Sequence, residues 1–73
     1  ESVCLFSKPG CQYCAKAKAD LEKAGFEYEE VVLGRDASIT TLRAMTGAET
    51  APQVFIGGKY IGGSEALEAF LAS

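Results

Sequence analysis

The stretch Lys8-Pro9-Gly10-Cys11-Gln12-Tyr13-Cys14 joins an apolar run, Val3-Cys4-Leu5-Phe6, to a helical pattern. Pro9 biases Lys8 away from helical geometry, so Lys8 to Gly10 reads as a loop that delivers Cys11 to a helix start. A free thiol with a pKa near 8.5 is only about 3% thiolate at pH 7, so a reactive cysteine needs its anion stabilised. The first turn of a helix offers N–H groups without intrahelical partners and the positive end of the peptide dipole. A two-unit drop in pKa requires about 2.7 kcal/mol. A helix terminus supplies about 0.3 to 1 kcal/mol, or about 2 in partly buried geometry. The remainder is expected from direct hydrogen bonds, chiefly the Tyr13 and Cys14 N–H groups, with Lys8 adding a cation. Cys11 is therefore expected exposed at the helix start. Cys14, one turn later, is expected to sit inward and to attack when Cys11 is held in a disulfide.

Ser2 to Ser7 reads as a strand buried on both faces, with Cys4 as a small buried hydrophobe. From about Gln12 to Ala24, Cys14, Ala17, Leu21 and Ala24 recur at steps of three and four, while Lys16, Asp20, Glu22 and Lys23 face outward. Gly25 is placed to end that helix. Phe26 to Leu33 reads as a second strand with Glu27, Glu29 and Glu30 toward solvent. Asp36 or Ser38 can cap a second helix that turns Ile39, Leu42 and Met45 to the core and ends at Gly47. Gln53 to Ile56 and Lys59 to Ile61 form a hairpin around Gly57-Gly58. Ser64 can cap a last helix with Glu65 in its first turn and Leu67, Phe70 and Leu71 on one face. The order is β-α-β-α-β-β-α. Its first unit is a parallel right-handed crossover, its helices cover both faces of the sheet, and its strand ends and first helix N-terminus form a crevice.

The 73 residues, 48% of them hydrophobic and including four Phe and three Tyr, suit one small globular domain. No stretch approaches the roughly 20 apolar residues of a membrane span, and no signal peptide is visible. A net charge of −3 without a basic stripe argues against nucleic acid. Lys8, Lys16 and Lys18 nevertheless flank the cysteine pair, a local positive field suited to an anionic small substrate; solvated surface is the plainer alternative. Three cysteines fit a secreted disulfide framework poorly. A Cys11–Cys14 bridge closes so short a loop that it stabilises by only about 2 kcal/mol. Redox use in a reducing compartment is the stronger reading. With no His in the chain and three thiolates at best, a zinc site is disfavoured, and no metal is expected.

A Cys-x-x-Cys opening the helix of a β-α-β unit is a redox motif by spacing and context. Three segments extend it: Lys8 with Cys11-Gln12-Tyr13-Cys14, then Thr50-Ala51-Pro52-Gln53, then Gly62-Gly63-Ser64-Glu65. Together they make the chain closely resemble the glutaredoxins over nearly its whole length. Within that family, Lys8 to Cys11 and Gly57 to Glu65 look most like the glutaredoxin domain of bacterial peroxiredoxin-glutaredoxin hybrids.

The resemblance implies an α/β thioredoxin-like fold, a four-stranded mixed sheet flanked by three helices. It implies a glutathione-dependent thiol-disulfide oxidoreductase with Cys11 as nucleophile, Cys14 as resolving thiol and glutathione as co-substrate. It further implies a glutathione groove built from Lys8, Tyr13, Thr50, Ala51, Pro52, Gly63, Ser64 and Glu65. A cis bond before Pro52 would present the Ala51 backbone to the cysteinyl part of the tripeptide, whereas the residues alone predict the ordinary trans form. The N–H groups of Gly63 and Ser64 would take a carboxylate, and Glu65, where the family usually has Asp, the glutamyl ammonium. Gly62-Gly63 also reads simply as a strand-to-helix turn. Gln12 stands where the family usually has Pro, and Ala51 where Val is common. The implied partners are glutathione and disulfide-bonded or glutathionylated proteins, a peroxiredoxin among them, met by a monomer in the cytoplasm. Two rivals share the motif: a donor served by thioredoxin reductase, and an iron-sulfur carrier using Cys11 with glutathione.

Overall fold

A computed structural model describes residues 2–47 and 50–73. Seven elements follow in the expected order: β1 (Val3–Ser7), α1 (Gln12–Lys23), β2 (Glu29–Val32), α2 (Ile39–Thr46), β3 (Gln53–Ile56), β4 (Lys59–Gly62) and α3 (Ser64–Ala72). They build one four-stranded sheet in the order β2-β1-β3-β4. β1 pairs with β2 in parallel, Leu5 opposite Glu30. β3 runs antiparallel to β1, Leu5 opposite Val54, and β4 antiparallel to β3. The sheet is thus mixed, as the first β-α-β unit and the terminal hairpin require.

Alternation along the strands decides what each face holds. Val3 and Leu5 of β1 and Val54 and Ile56 of β3 point to one side, where Ala17 and Leu21 of α1 and Leu67 of α3 close over them as the main core. Phe26 and Tyr28 pack against that cluster from the chain leading into β2. Phe6, one residue out of phase, meets Phe55 at 6.0 Å between ring centroids, and Phe55 meets Tyr60 at 5.3 Å. β1 is therefore covered on both faces, which explains its unbroken apolar run; Cys4 is half-buried there rather than fully enclosed.

The hairpin turn falls at Gly57-Gly58, both with positive φ (60° and 81°), as a two-residue turn of the primed type demands. Gly62 has φ 127°, and a Cβ there would approach the Ala66 Cβ to 2.9 Å, so the step from β4 into α3 requires glycine. Gly25 follows α1 at φ 84°, ending the helix where the pattern predicted.

Several expectations need correction. α2 buries only Leu42: Ile39 is 43% and Met45 53% exposed. The two flank Leu42 at three-residue steps, but this eight-residue helix meets its neighbours along too narrow a line to enclose all three. Phe70 is likewise 43% exposed, leaving Leu67 and Leu71 as the inner residues of α3. Ala24 is exposed as the C-cap of α1. β2 is shorter than Phe26 to Leu33, since only Glu29–Val32 aligns with β1. Glu30 is half-buried rather than facing free solvent. Ser38 caps α2, its Oγ accepting from the Thr41 N–H at 3.1 Å, while Asp36 accepts from the Val32 N–H instead. Gly63, not Ser64, is the N-cap of α3, and no side chain caps that end. Among the described residues, no helix is long and apolar enough to cross a membrane.

Candidate active site at the first helix

The loop Lys8 to Gly10 turns the chain out of β1 and leaves Cys11 as the N-cap of α1, with extended backbone (φ −99°, ψ 114°). Its carbonyl accepts the first helical hydrogen bond, from Ala15. Its sulfur accepts from the Cys14 N–H at 3.2 Å, taking the place that a Ser or Asp oxygen fills at an ordinary N-cap. A thiolate is thus held where an unpaired helix N–H needs an acceptor. Cys11 is half-buried rather than exposed.

Opposing influences set its ionisation. Desolvation pushes the Cys11 thiol up, but hydrogen bonds from the Cys14 side chain and backbone, the Lys8 charge and the Tyr13 N–H together bring it below the ordinary thiol range. Cys14 lies on the inner face of α1, 2% exposed. Burial first, then its bond to Cys11, push its thiol up to about 11, against the Lys8 backbone and the Lys18 charge. Cys4 is also pushed up, by burial and then Glu29, in keeping with a packing role.

A groove of about 610 Å³ opens beside the dithiol, lined by Tyr13, Thr50, Ala51, Pro52, Gly63, Ser64 and Glu65 among others. The structure thus brings together seven of the eight groove residues named from the sequence. The eighth, Lys8, lies instead with Cys11 and Cys14 in a second cavity of about 460 Å³. The Ala51–Pro52 bond is cis, so the family resemblance anticipated this bond where local propensity did not. The Ala51 carbonyl accepts from the Cys11 thiol at 3.8 Å, which places the sulfur at the junction of the two cavities. A Cβ on Gly63 would lie 3.4 Å from the Pro52 carbonyl oxygen, so that corner closes tightly on the Pro52 loop. α3 begins at Ser64 with no side-chain cap, and Gly63, Ser64 and Glu65 at that end line the groove.

The sequence reading did not place Gln53, Tyr60, Ala66 and Glu68 in the groove, and Lys16, expected only as part of a positive field beside the thiols, lines it as well. Buried Gln53 accepts from the Tyr60 hydroxyl at 2.5 Å and donates to the Thr50 carbonyl at 2.9 Å, bracing the loop before Pro52. The adjacency of Gln53 to Pro52 was the available signal; the Tyr60 contact depends on the hairpin register. The positive field is also more neutralised than its lysines implied: Lys16 pairs with Asp20 and Glu68, and Lys18 with Glu30. Among the described residues, no three His, Cys, Asp or Glu side chains gather in a metal-holding arrangement.

Comparison with known proteins gives the geometry a family. The glutaredoxin family model matches residues 3–61. The hybrid peroxiredoxin hyPrx5 of Haemophilus influenzae is 56% identical over 72 residues, 99% of this chain but 30% of that protein. Glutaredoxin 3 of Escherichia coli is 35% identical, with 93% of this chain and 83% of the relative covered. Among solved structures, a buckwheat glutaredoxin-glutathione complex superposes with a TM-score of 0.83 at 37% identity, covering 92% of this chain and 64% of that one. Reduced E. coli glutaredoxin superposes with a TM-score of 0.84 at 29% identity, covering 99% and 94%. These neighbours share the thioredoxin-like sheet, and the chain belongs to the glutaredoxin family.

Proposed function

We propose that this chain is a glutathione-dependent thiol-disulfide oxidoreductase that reduces protein disulfides and glutathione mixed disulfides, with Cys11 as nucleophile and Cys14 as resolving thiol. The observation that carries the reading is the Cys11 sulfur, an N-cap acceptor 3.2 Å from the Cys14 N–H, standing beside a groove whose far corner pairs a helix N-terminus with a carboxylate. That corner complements the γ-glutamyl end of glutathione, which carries a carboxylate and an ammonium on one carbon. The unpaired N–H groups at the start of α3 suit the carboxylate, and Glu65 suits the ammonium. The Ala51 backbone offers an extended edge to the cysteinyl residue, and Tyr13, 66% exposed, covers the groove beside the thiol. The glutathione complex of buckwheat glutaredoxin supports the same ligand class.

In the first step the Cys11 thiolate attacks one sulfur of the substrate disulfide. A Cys11 mixed disulfide forms, and the other sulfur leaves as a thiolate that takes up a proton. Either Cys14 then closes the Cys11–Cys14 disulfide, or glutathione attacks and frees Cys11. One chain carries both thiols and the groove, so the reaction needs no second copy. The likeness to a hybrid peroxiredoxin, of which this chain spans about 30%, supports a peroxiredoxin as one disulfide partner. Exchange of this kind fits a reducing compartment such as the cytoplasm.

The test is turnover of a glutathione mixed disulfide coupled either to glutathione with glutathione reductase or to thioredoxin reductase. Turnover with glutathione and little with the other reductant is expected. The reverse would transfer the chain to the donors served by thioredoxin reductase.

A further inference from the structure

The second cavity shares no lining residue with the glutathione groove and contains both thiols together with Ser7, Lys8, Lys18 and Glu30. Lys18 follows Cys14 by four positions on α1, so the two side chains leave the same face of the helix one turn apart. Its ammonium is held 2.8 Å from Glu30 Oε2. The same oxygen accepts from the Ser7 hydroxyl at 2.5 Å, and Ser7 is buried at the end of β1. Three elements, α1, β2 and β1, thus combine to fix one cation in a cavity with the dithiol.

We propose that Lys18, fixed by Glu30 and Ser7, is a positioning residue for the second half of the reaction: its cation steadies the Cys14 thiolate while that sulfur attacks the mixed disulfide on Cys11. The inference rests on the dithiol reading above and deepens it. The titratable groups that line the cavity with Cys14 are Cys11, Lys8, Lys18 and Glu30. In the reduced protein the Cys11 sulfur and burial both oppose ionisation of Cys14, and Lys18 is the charged side chain that favours it. Once Cys11 is tied up in a mixed disulfide, its negative charge is gone while the Lys18 cation remains. Cys14 then ionises when its attack is required. It loses its proton to solvent, its sulfur bonds to Cys11 Sγ, and the bond from Cys11 to the substrate sulfur breaks. The substrate sulfur leaves as a thiolate and takes up a proton. The cysteine pair is oxidised by two electrons, and the substrate is reduced.

Stopped-flow reaction with dithiobis(nitrobenzoate) separates the two halves, using protein in excess and a Cys4→Ala background. Attack by Cys11 releases one coloured thiolate at a rate that depends on protein concentration. Attack by Cys14 releases the second at a rate that does not. Lys18→Met is expected to slow the second release about threefold to tenfold at pH 7 and to move its pH midpoint upward, since one pKa unit is a factor of ten in thiolate. The first release should be unchanged and serves as the internal control for folding. Lys18→Arg should restore the second rate, and Lys23→Met, which removes a charge at the other end of α1, should leave both releases alone. The proposal is overturned if Lys18→Met leaves the second release unchanged, slows both equally, or is matched by Lys23→Met. Absence of any rapid first release from the parent protein would instead overturn the dithiol reading itself.

Discussion

Cys11 and Cys14 stand one turn apart on the same helix, yet the fold treats them as opposite groups. Cys11 caps the helix, where hydrogen bonds from the Cys14 side chain and backbone N–H, the Lys8 charge and the Tyr13 N–H outweigh its partial burial and favour the anion. Cys14 faces the core, where burial holds its proton to about pH 11. Two identical side chains thus acquire different tasks from position alone. In the proposed reaction that difference separates the sulfur that meets the substrate from the sulfur that waits behind it.

Removing each sulfur in turn tests that division most severely. Cys11→Ser is expected to lower turnover of glutathione mixed disulfides by on the order of 10³-fold or more, because in the proposed reaction Cys11 forms the covalent intermediate. Cys14→Ser should keep that activity within about threefold while lowering protein-disulfide reduction by on the order of tenfold, since only the latter needs an intramolecular exit. Equal loss of both activities in Cys14→Ser would erase the distinction.

A second separation is chemical. Alkylation by substoichiometric iodoacetamide at pH 7, mapped by peptide mass, should modify Cys11 faster than Cys14 by on the order of 10²-fold, because burial and the free Cys11 sulfur hold the Cys14 proton in place. Comparable rates would show that the helix terminus and the core do not divide the two thiols.

Stability should register the same contrast more weakly. Folded Cys14 keeps its proton to about 11, whereas an unfolded thiol loses it near 8.5, so between those values the native state binds more protons and stability falls as pH rises. Cys11 acts with the opposite sign: its contribution is present above the unfolded value and is lost as pH falls through its lowered folded value. Thermal melts of the reduced protein should therefore fall from about pH 8.5 upward, and Cys14→Ala should flatten that decline. An unchanged alkaline slope in the variant would remove Cys14 as its cause.

The smallest effect belongs to Lys8. Lys8→Ala should slow alkylation of Cys11 at pH 7 about twofold, and the difference should shrink at high salt, because an exposed charge acts through screened solvent. A loss as large as that expected of Cys11→Ser would move the origin of the anion from the helix N-terminus to the lysine.

Periodic features were legible in the sequence. The run Val3 to Phe6, the spacing of Cys14, Ala17 and Leu21, and Gly57-Gly58 each encode a local geometry that the fold keeps. Features set by tertiary contact were not. Ile39 and Met45 have core periodicity but are exposed, because the amount of a short helix that is covered depends on what packs beside it. Lys16 reaches Glu68 across 52 positions, and Lys18 reaches Glu30 from another element, so the apparent positive field around the dithiol was already partly paired. The groove corners at Ala51-Pro52 and Gly63-Ser64-Glu65 could be read as turns from local propensity. Only their similarity to a family pattern placed them beside Cys11.

The central claim is that Cys11, in the company of that groove, is the sulfur that accepts glutathione. Its most direct test is the mass of Cys14→Ser protein after exposure to glutathione disulfide, with the modified peptide identified. The account predicts one glutathione adduct, carried by Cys11 and absent when Cys11 is also replaced. An adduct on Cys4, or no adduct at all, would contradict it.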